Sequence, residues 1–199
     1  MEKLPVEMLI KGYLSGFFPM ADPESGALEW HCPDPRAILE FEALHVSESL
    51  ARTIRGDRFE IRTDTCFDAV VAACGEPAAG RTSTWIDARI AQGCNELHRM
   101  GLAHSVEAWL EGRLVGGLYG VRLGGAFFGE SMFSRPAIGG RDASKVCLVW
   151  LVEHLQSIGA SLLDVQYLTQ HLQRLGVREI STEDYEVRLQ EAVELECVW

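Results

Sequence analysis

The segment from Ala103 to Phe133 restricts the fold more than any other part of the chain. It holds three runs rich in β-forming residues, separated by Glu111-Gly112 and Gly124-Gly125. Both dipeptides suit tight two-residue hairpins, whose backbone conformations glycine adopts without steric cost. The pattern predicts an antiparallel meander. A glycine-containing loop at 135–141 follows, then a helix capped by Asp142, with Leu148, Leu151, Val152, Leu155 and Ile158 on its apolar face and Gly159 at its end. A strand at 161–167 comes next. Antiparallel strands, a helix and a further strand make an α+β sheet fold.

The remaining periodicities give helices at 5–15, 47–56, 66–73 and 87–100 and a strand at 59–62. Two C-terminal helices are expected, one capped by Thr169 and ending at Gly176, the other opened by the box Ser181-Thr182-Glu183-Asp184. Between Phe17 and Arg36, four prolines mark an irregular stretch and the expected domain boundary.

At 199 residues the chain has room for one continuous core and a small appendage. No apolar run approaches the roughly 20 residues that cross a bilayer, and the N-terminus has no export signal, so a protein of the cytoplasm with no membrane partner is expected. Six cysteines without a C-x-x-C pair and six histidines without ligand spacing predict reduced thiols and no bound metal. A net charge of −11 disfavours nonspecific nucleic-acid binding, so any RNA contact must be confined to a patch.

Several places carry residues suited to chemistry. On a strand, Asp164 and Gln166 share one face, and two polar side chains there are costly to bury unless hydrogen-bonded; the alternative is a polar pair at a solvated strand end. Glu130 lies in the aromatic segment Phe127-Phe128-Gly129-Glu130-Ser131-Met132-Phe133, where it either orients an amine in an apolar cleft or pairs with an internal arginine. For His104 a structural hydrogen bond is favoured over catalysis, and Ser131 lacks the second glycine of a nucleophile elbow. Ile138-Gly139-Gly140-Arg141 suits an anion cradle, and Arg52 with Arg55 shares a helix face near Arg58, either as a phosphate-binding patch or as a solvated face.

A collinear set of motifs then carries a resemblance. Gly16-Phe17-Phe18-Pro19, Pro33-Asp34-Pro35-Arg36, Thr84-Trp85-Ile86, Ala103-His104-Ser105-Val106-Glu107, Gly116-Gly117-Leu118-Tyr119-Gly120, Gly129-Glu130-Ser131-Met132-Phe133-Ser134, Ala143-Ser144-Lys145 and Asp164-Val165-Gln166 resemble the bacterial leucyl/phenylalanyl-tRNA–protein transferases. The resemblance implies an N-acetyltransferase-like domain, 37–199, preceded by a reduced N-terminal subdomain, 1–36. It also implies transfer of leucine, phenylalanine or, less readily, methionine from aminoacyl-tRNA to proteins beginning with arginine or lysine, which marks them for degradation through the N-degron pathway. No cofactor is implied, and a monomer is expected.

Carried over position by position, the resemblance has Gln166 at the acceptor α-amino group, Asp164 holding that group and the developing charge, and Glu130 at the donor aminoacyl group or its ribose. Leu118, Phe127, Leu148, Leu151 and Leu155 would line the donor pocket, Met20 and Trp85 would flank the terminal adenosine, and Arg52, Arg55 and Arg58 would face tRNA. Because glutamine is a poor base, positioning is the larger part of its role. The sequence departs from the family in Met20, where many relatives have tryptophan, in the acidic Glu48, and in a longer loop at 135–142. Competing readings are a coenzyme-A-dependent acyltransferase on the same fold and a non-catalytic relative that binds charged tRNA or peptides.

Overall fold

The computed structural model describes residues 4–77 and 83–199. Helix α1 (Val6–Leu14) is followed by a left-handed turn at Gly16, φ +79°, into a hairpin of β1 (Phe18–Ala21) and β2 (Leu28–His31). The stretch expected to be irregular thus contains a small two-stranded sheet, because its prolines flank the pairing residues or sit where the ladder tolerates them. Gly12 is where α1 meets the hairpin: a β-carbon there would lie 2.2 Å from the Trp30 ring.

The main sheet has seven strands in the order β4-β5-β6-β7-β8-β3-β9. In chain order they are β3 (Arg36–Ile38), β4 (Glu60–Thr63), β5 (Ala103–Leu110), β6 (Arg113–Leu123), β7 (Ala126–Ser134), β8 (Leu162–Gln166) and β9 (Arg178–Ile180). Neighbours are antiparallel except β7 and β8, which run parallel. The expected meander is β5-β6-β7. Its first turn has Glu111 at φ +51° and Gly112 at φ +73°, the paired left-handed conformations whose twist matches a tight hairpin. Strands β1, β2, β3 and β9, each only 3 or 4 residues long, escaped the periodicity reading.

Helices cover both faces of the sheet. Successive residues of the inner strands enter opposite cores: Phe128, Leu162 and Ile38 one, Phe127, Leu163 and Ala37 the other. The first core takes in α1, α3 (Phe67–Gly75), α4 (Ala88–Arg99) and α7 (Thr182–Val193). The second holds α2 (Glu48–Arg55), α5 (Ala143–Ser157) and the single turn α6 (Gln170–Gln173). Ser47, Asp87, Thr169 and Ser181 cap their helices through their side chains. Asp142 does not: its backbone is left-handed at φ +64° and its carboxylate accepts from Lys145. Ser134 Oγ caps α5 instead, accepting the Ser144 amide at 2.9 Å. No helix among the described residues is long and apolar enough to cross a membrane.

Candidate active site

The site lies where β7 and β8 stop pairing. Their parallel ladder runs from Ala126–Leu162 to Phe128–Asp164 and no further. Beyond it each strand departs from regular pairing. The β6–β7 register jumps from Tyr119–Ser131 to Gly120–Gly129, leaving Glu130 as the extra residue of a bulge. The β3–β8 register likewise passes from Ala37–Gln166 to Ile38–Asp164, leaving out Val165. Gln166 itself is left-handed, φ +67°. Bulges re-aim side chains, and here they turn Glu130 and Gln166 toward each other: Gln166 Nε2 donates to Glu130 Oε1 at 2.9 Å.

Asp164 is fully buried, so the solvated strand end is ruled out. Its carboxylate is closed on all sides. Oδ1 accepts from Arg36 Nε at 3.0 Å and from the Gln166 amide at 2.8 Å; Oδ2 accepts from Arg36 Nη2 at 2.6 Å and from the Tyr185 hydroxyl at 2.8 Å. Sequence reading gave Asp164 a direct hold on the acceptor amine. A carboxylate offers about four lone-pair positions, and all are taken, so Asp164 has none left for a further donor; one of its contacts is to the Gln166 backbone amide.

Arg36 supplies the buried countercharge that burial of Asp164 requires. Its guanidinium lies 4.8 Å from the Phe18 ring centre and 4.5 Å from that of Tyr185, and Nη1 donates to Gly16 O at 2.8 Å. Arg36 was in the quoted motif but received no role. The available signal was an arginine entering the apolar run Ala37-Ile38-Leu39, all three now buried.

Among the described residues no arginine is hydrogen-bonded to Glu130. Tyr13 Oη donates to its Oε1 at 3.0 Å, whereas Oε2 is buried without a hydrogen-bond partner among the described residues. Burial pushes the carboxyl up to about 8, against the lowering effect of the Tyr13 and Gln166 hydrogen bonds. At neutral pH it is therefore mostly protonated. Since Oε1 already accepts twice, the proton belongs on Oε2.

Glu130 forms part of the wall of a cavity of about 140 Å³. Of the expected pocket residues, Leu118, Leu148 and Leu151 line it, joined by Met132, Leu163, Val165 and Leu172. Phe127 and Leu155 do not: both are fully buried in the core behind it. Sequence reading missed Val165 and Leu172 because neither stood on the expected pocket helix. Ser131 is on the wall, with no base bonded to it.

The other expected residues lie away from this cavity. Met20 and Trp85 are partly buried on neighbouring segments, joined by the Ala21 amide to Trp85 O at 3.1 Å. Arg52, Arg55 and Arg58 are exposed, and Arg58 Nη2 donates to Gly139 O at 2.8 Å. The 138–141 loop is no open anion cradle, because the Gly139 and Gly140 amides bond within it to Pro136 O and Arg135 O. His104 has a structural bond, Nδ1 to Asp64 at 2.8 Å. Glu107 accepts from the Thr65 and Cys66 amides, Ser105 and Trp109; burial would raise its pKa, and these bonds overcome that and lower it. All six cysteines are free, and no cluster among the described residues is arranged to hold a metal.

Comparison with known proteins supports the resemblance. A leucyl/phenylalanyl-tRNA–protein transferase from Paramagnetospirillum magneticum is 50% identical over all of this chain and 93% of its own length. One from Rubrobacter xylanophilus is 53% identical over 98% of this chain and 97% of its own. Among solved structures, a GCN5-related N-acetyltransferase-like protein from Streptococcus suis 89/1591 is 15% identical with a TM-score of 0.42, covering 75% of this chain and 58% of its own. Residues 2–34 match the N-terminal domain of leucyl/phenylalanyl-tRNA protein transferase and residues 38–190 match the transferase itself, and the chain belongs to that family.

Proposed function

We propose that this protein transfers leucine or phenylalanine, and less readily methionine, from aminoacyl-tRNA to the α-amino group of proteins beginning with arginine or lysine. The modified protein then enters the N-degron pathway in the cytoplasm. The observation that carries the reading is the cavity of about 140 Å³, lined mainly by leucine, methionine and valine side chains, with Glu130 of its wall bonded to Gln166. An apolar cavity of about 150 Å³ holds a benzene ring, so this volume suits an isobutyl, benzyl or thioether side chain.

In the reaction the acceptor nitrogen attacks the aminoacyl ester carbonyl, a C–N bond forms, the C–O bond to the terminal ribose breaks, and the ribose hydroxyl leaves with a proton. The acceptor ammonium must first lose one proton. With Nε2 bonded to Glu130, the Gln166 amide oxygen is free to accept a hydrogen from the attacking amine and aim its lone pair. Glu130 borders the cavity that takes the donor, and a donor α-amine, whose pKa near 8 is close to that of Glu130, shares a proton with its carboxyl at little cost. Water excluded by the leucine side chains strengthens these contacts.

Purified protein, leucyl-tRNA carrying labelled leucine and a peptide beginning with arginine test the reading. Label should pass to the peptide, and much less to a peptide beginning with glutamate. Absence of transfer from leucyl-, phenylalanyl- and methionyl-tRNA alike would refute it.

A further inference from the structure

Gln166 stands in a left-handed conformation that a non-glycine residue adopts only when its surroundings hold it there. What holds it is its own amide bond to Asp164, and Asp164 is in turn fixed by groups from two distant parts of the chain. Arg36 grips both carboxylate oxygens and cannot swing away, because its guanidinium is stacked between Phe18 and Tyr185 and tied to Gly16 O. Tyr185, from the first turns of α7, donates its hydroxyl to the remaining position on Oδ2. Neither residue borders the donor cavity.

We propose that Arg36 and Tyr185 are positioning residues for the transfer reaction, setting the placement of the Gln166 amide through Asp164. This rests on the transferase reading above. A pair serving stability alone would make the same contacts, but its loss would act equally with or without the Gln166 side chain.

The test is a double-mutant cycle on single-turnover transfer with Tyr185→Phe, Gln166→Ala and the two combined. Tyr185→Phe keeps the ring on Arg36 and removes one hydrogen bond to a charged group. It should slow transfer about 10- to 100-fold, with KM for leucyl-tRNA changed by less than about twofold. In the Gln166→Ala background the same substitution should have no further effect. Equal factors in both backgrounds, a change confined to KM, or full activity of Tyr185→Phe would overturn the proposal. Arg36→Lys keeps the charge but not the two-pronged grip and should behave as Tyr185→Phe does. Should Arg36→Lys not fold, the uncharged pair Arg36→Met with Asp164→Leu replaces it, and is expected to fold without transferring. Wild-type protein inactive in the same assay would count against the transferase reading and not against the coupling.

Discussion

The amide of Gln166 reaches Glu130 Oε1, 2.9 Å away, across the point at which two parallel strands cease to pair. The bond fixes which end of the amide faces the acceptor. Gln166→Ala should therefore reduce the rate of transfer by about 10²–10⁴-fold while leaving the Kd for leucyl-tRNA unchanged, measured by rapid-quench kinetics and equilibrium binding. A matching loss of affinity would show that Gln166 binds the donor.

Glu130 makes stability depend on pH. Its folded-state pKa of about 8 lies above the ordinary 4.5, chiefly through burial, so the folded protein holds a proton over that interval which the unfolded chain releases. This contribution is full below pH 4.5 and is lost as pH rises through 8. Glu130→Gln cannot ionise, so its Tm relative to wild type should climb between pH 5 and pH 8 and level off above that. Parallel Tm curves would show that Glu130 is ionised throughout.

Leu148 belongs to the buried core and also lines the cavity proposed for the donor side chain. Leu148→Ala enlarges the cavity, which should favour phenylalanyl over leucyl transfer by roughly tenfold, given about 1–3 kcal/mol per methylene in such pockets. Competition between the two charged tRNAs reads the ratio directly. Leu155→Ala, behind the wall, should instead cost about 2–5 kcal/mol of stability.

Arg52 and Arg55 are exposed on one face of α2, with Arg58 just beyond it. If they bind phosphate, each Arg→Ala change should lower the slope of log affinity for tRNA against log salt by about 0.7–0.9. Arg58→Ala should also lower Tm, since its bond to Gly139 O goes with it. Unchanged slopes would mark the helix face as merely solvated.

Local chemistry made much of this legible in the sequence. The meander followed from Glu111-Gly112, and three helix starts followed from Ser47, Thr169 and Ser181, because turns and caps depend on residues close in sequence. Asp164, Gln166 and Glu130 were found, but their geometry was not. Strict alternation fails at a bulge, and bulges sit at Glu130 and Val165. Arg36 is 128 residues from Asp164, a separation no periodicity spans. Asp142 looked like a helix cap by type and position, but Ser134, on the neighbouring strand and ten residues before the Ser144 amide it accepts, does the capping.

Strand β3 lies between β8 and β9, so an early piece of chain is finished only by late ones. During synthesis Arg36 leaves the ribosome 128 residues ahead of Asp164. At about 5–20 residues per second, that is on the order of ten seconds without its carboxylate. Tyr185 emerges later still. A nascent chain thus cannot join Arg36 to Asp164 and Tyr185 until residue 185 is made, and a fragment cut short before β8 leaves the Arg36 guanidinium without its carboxylate.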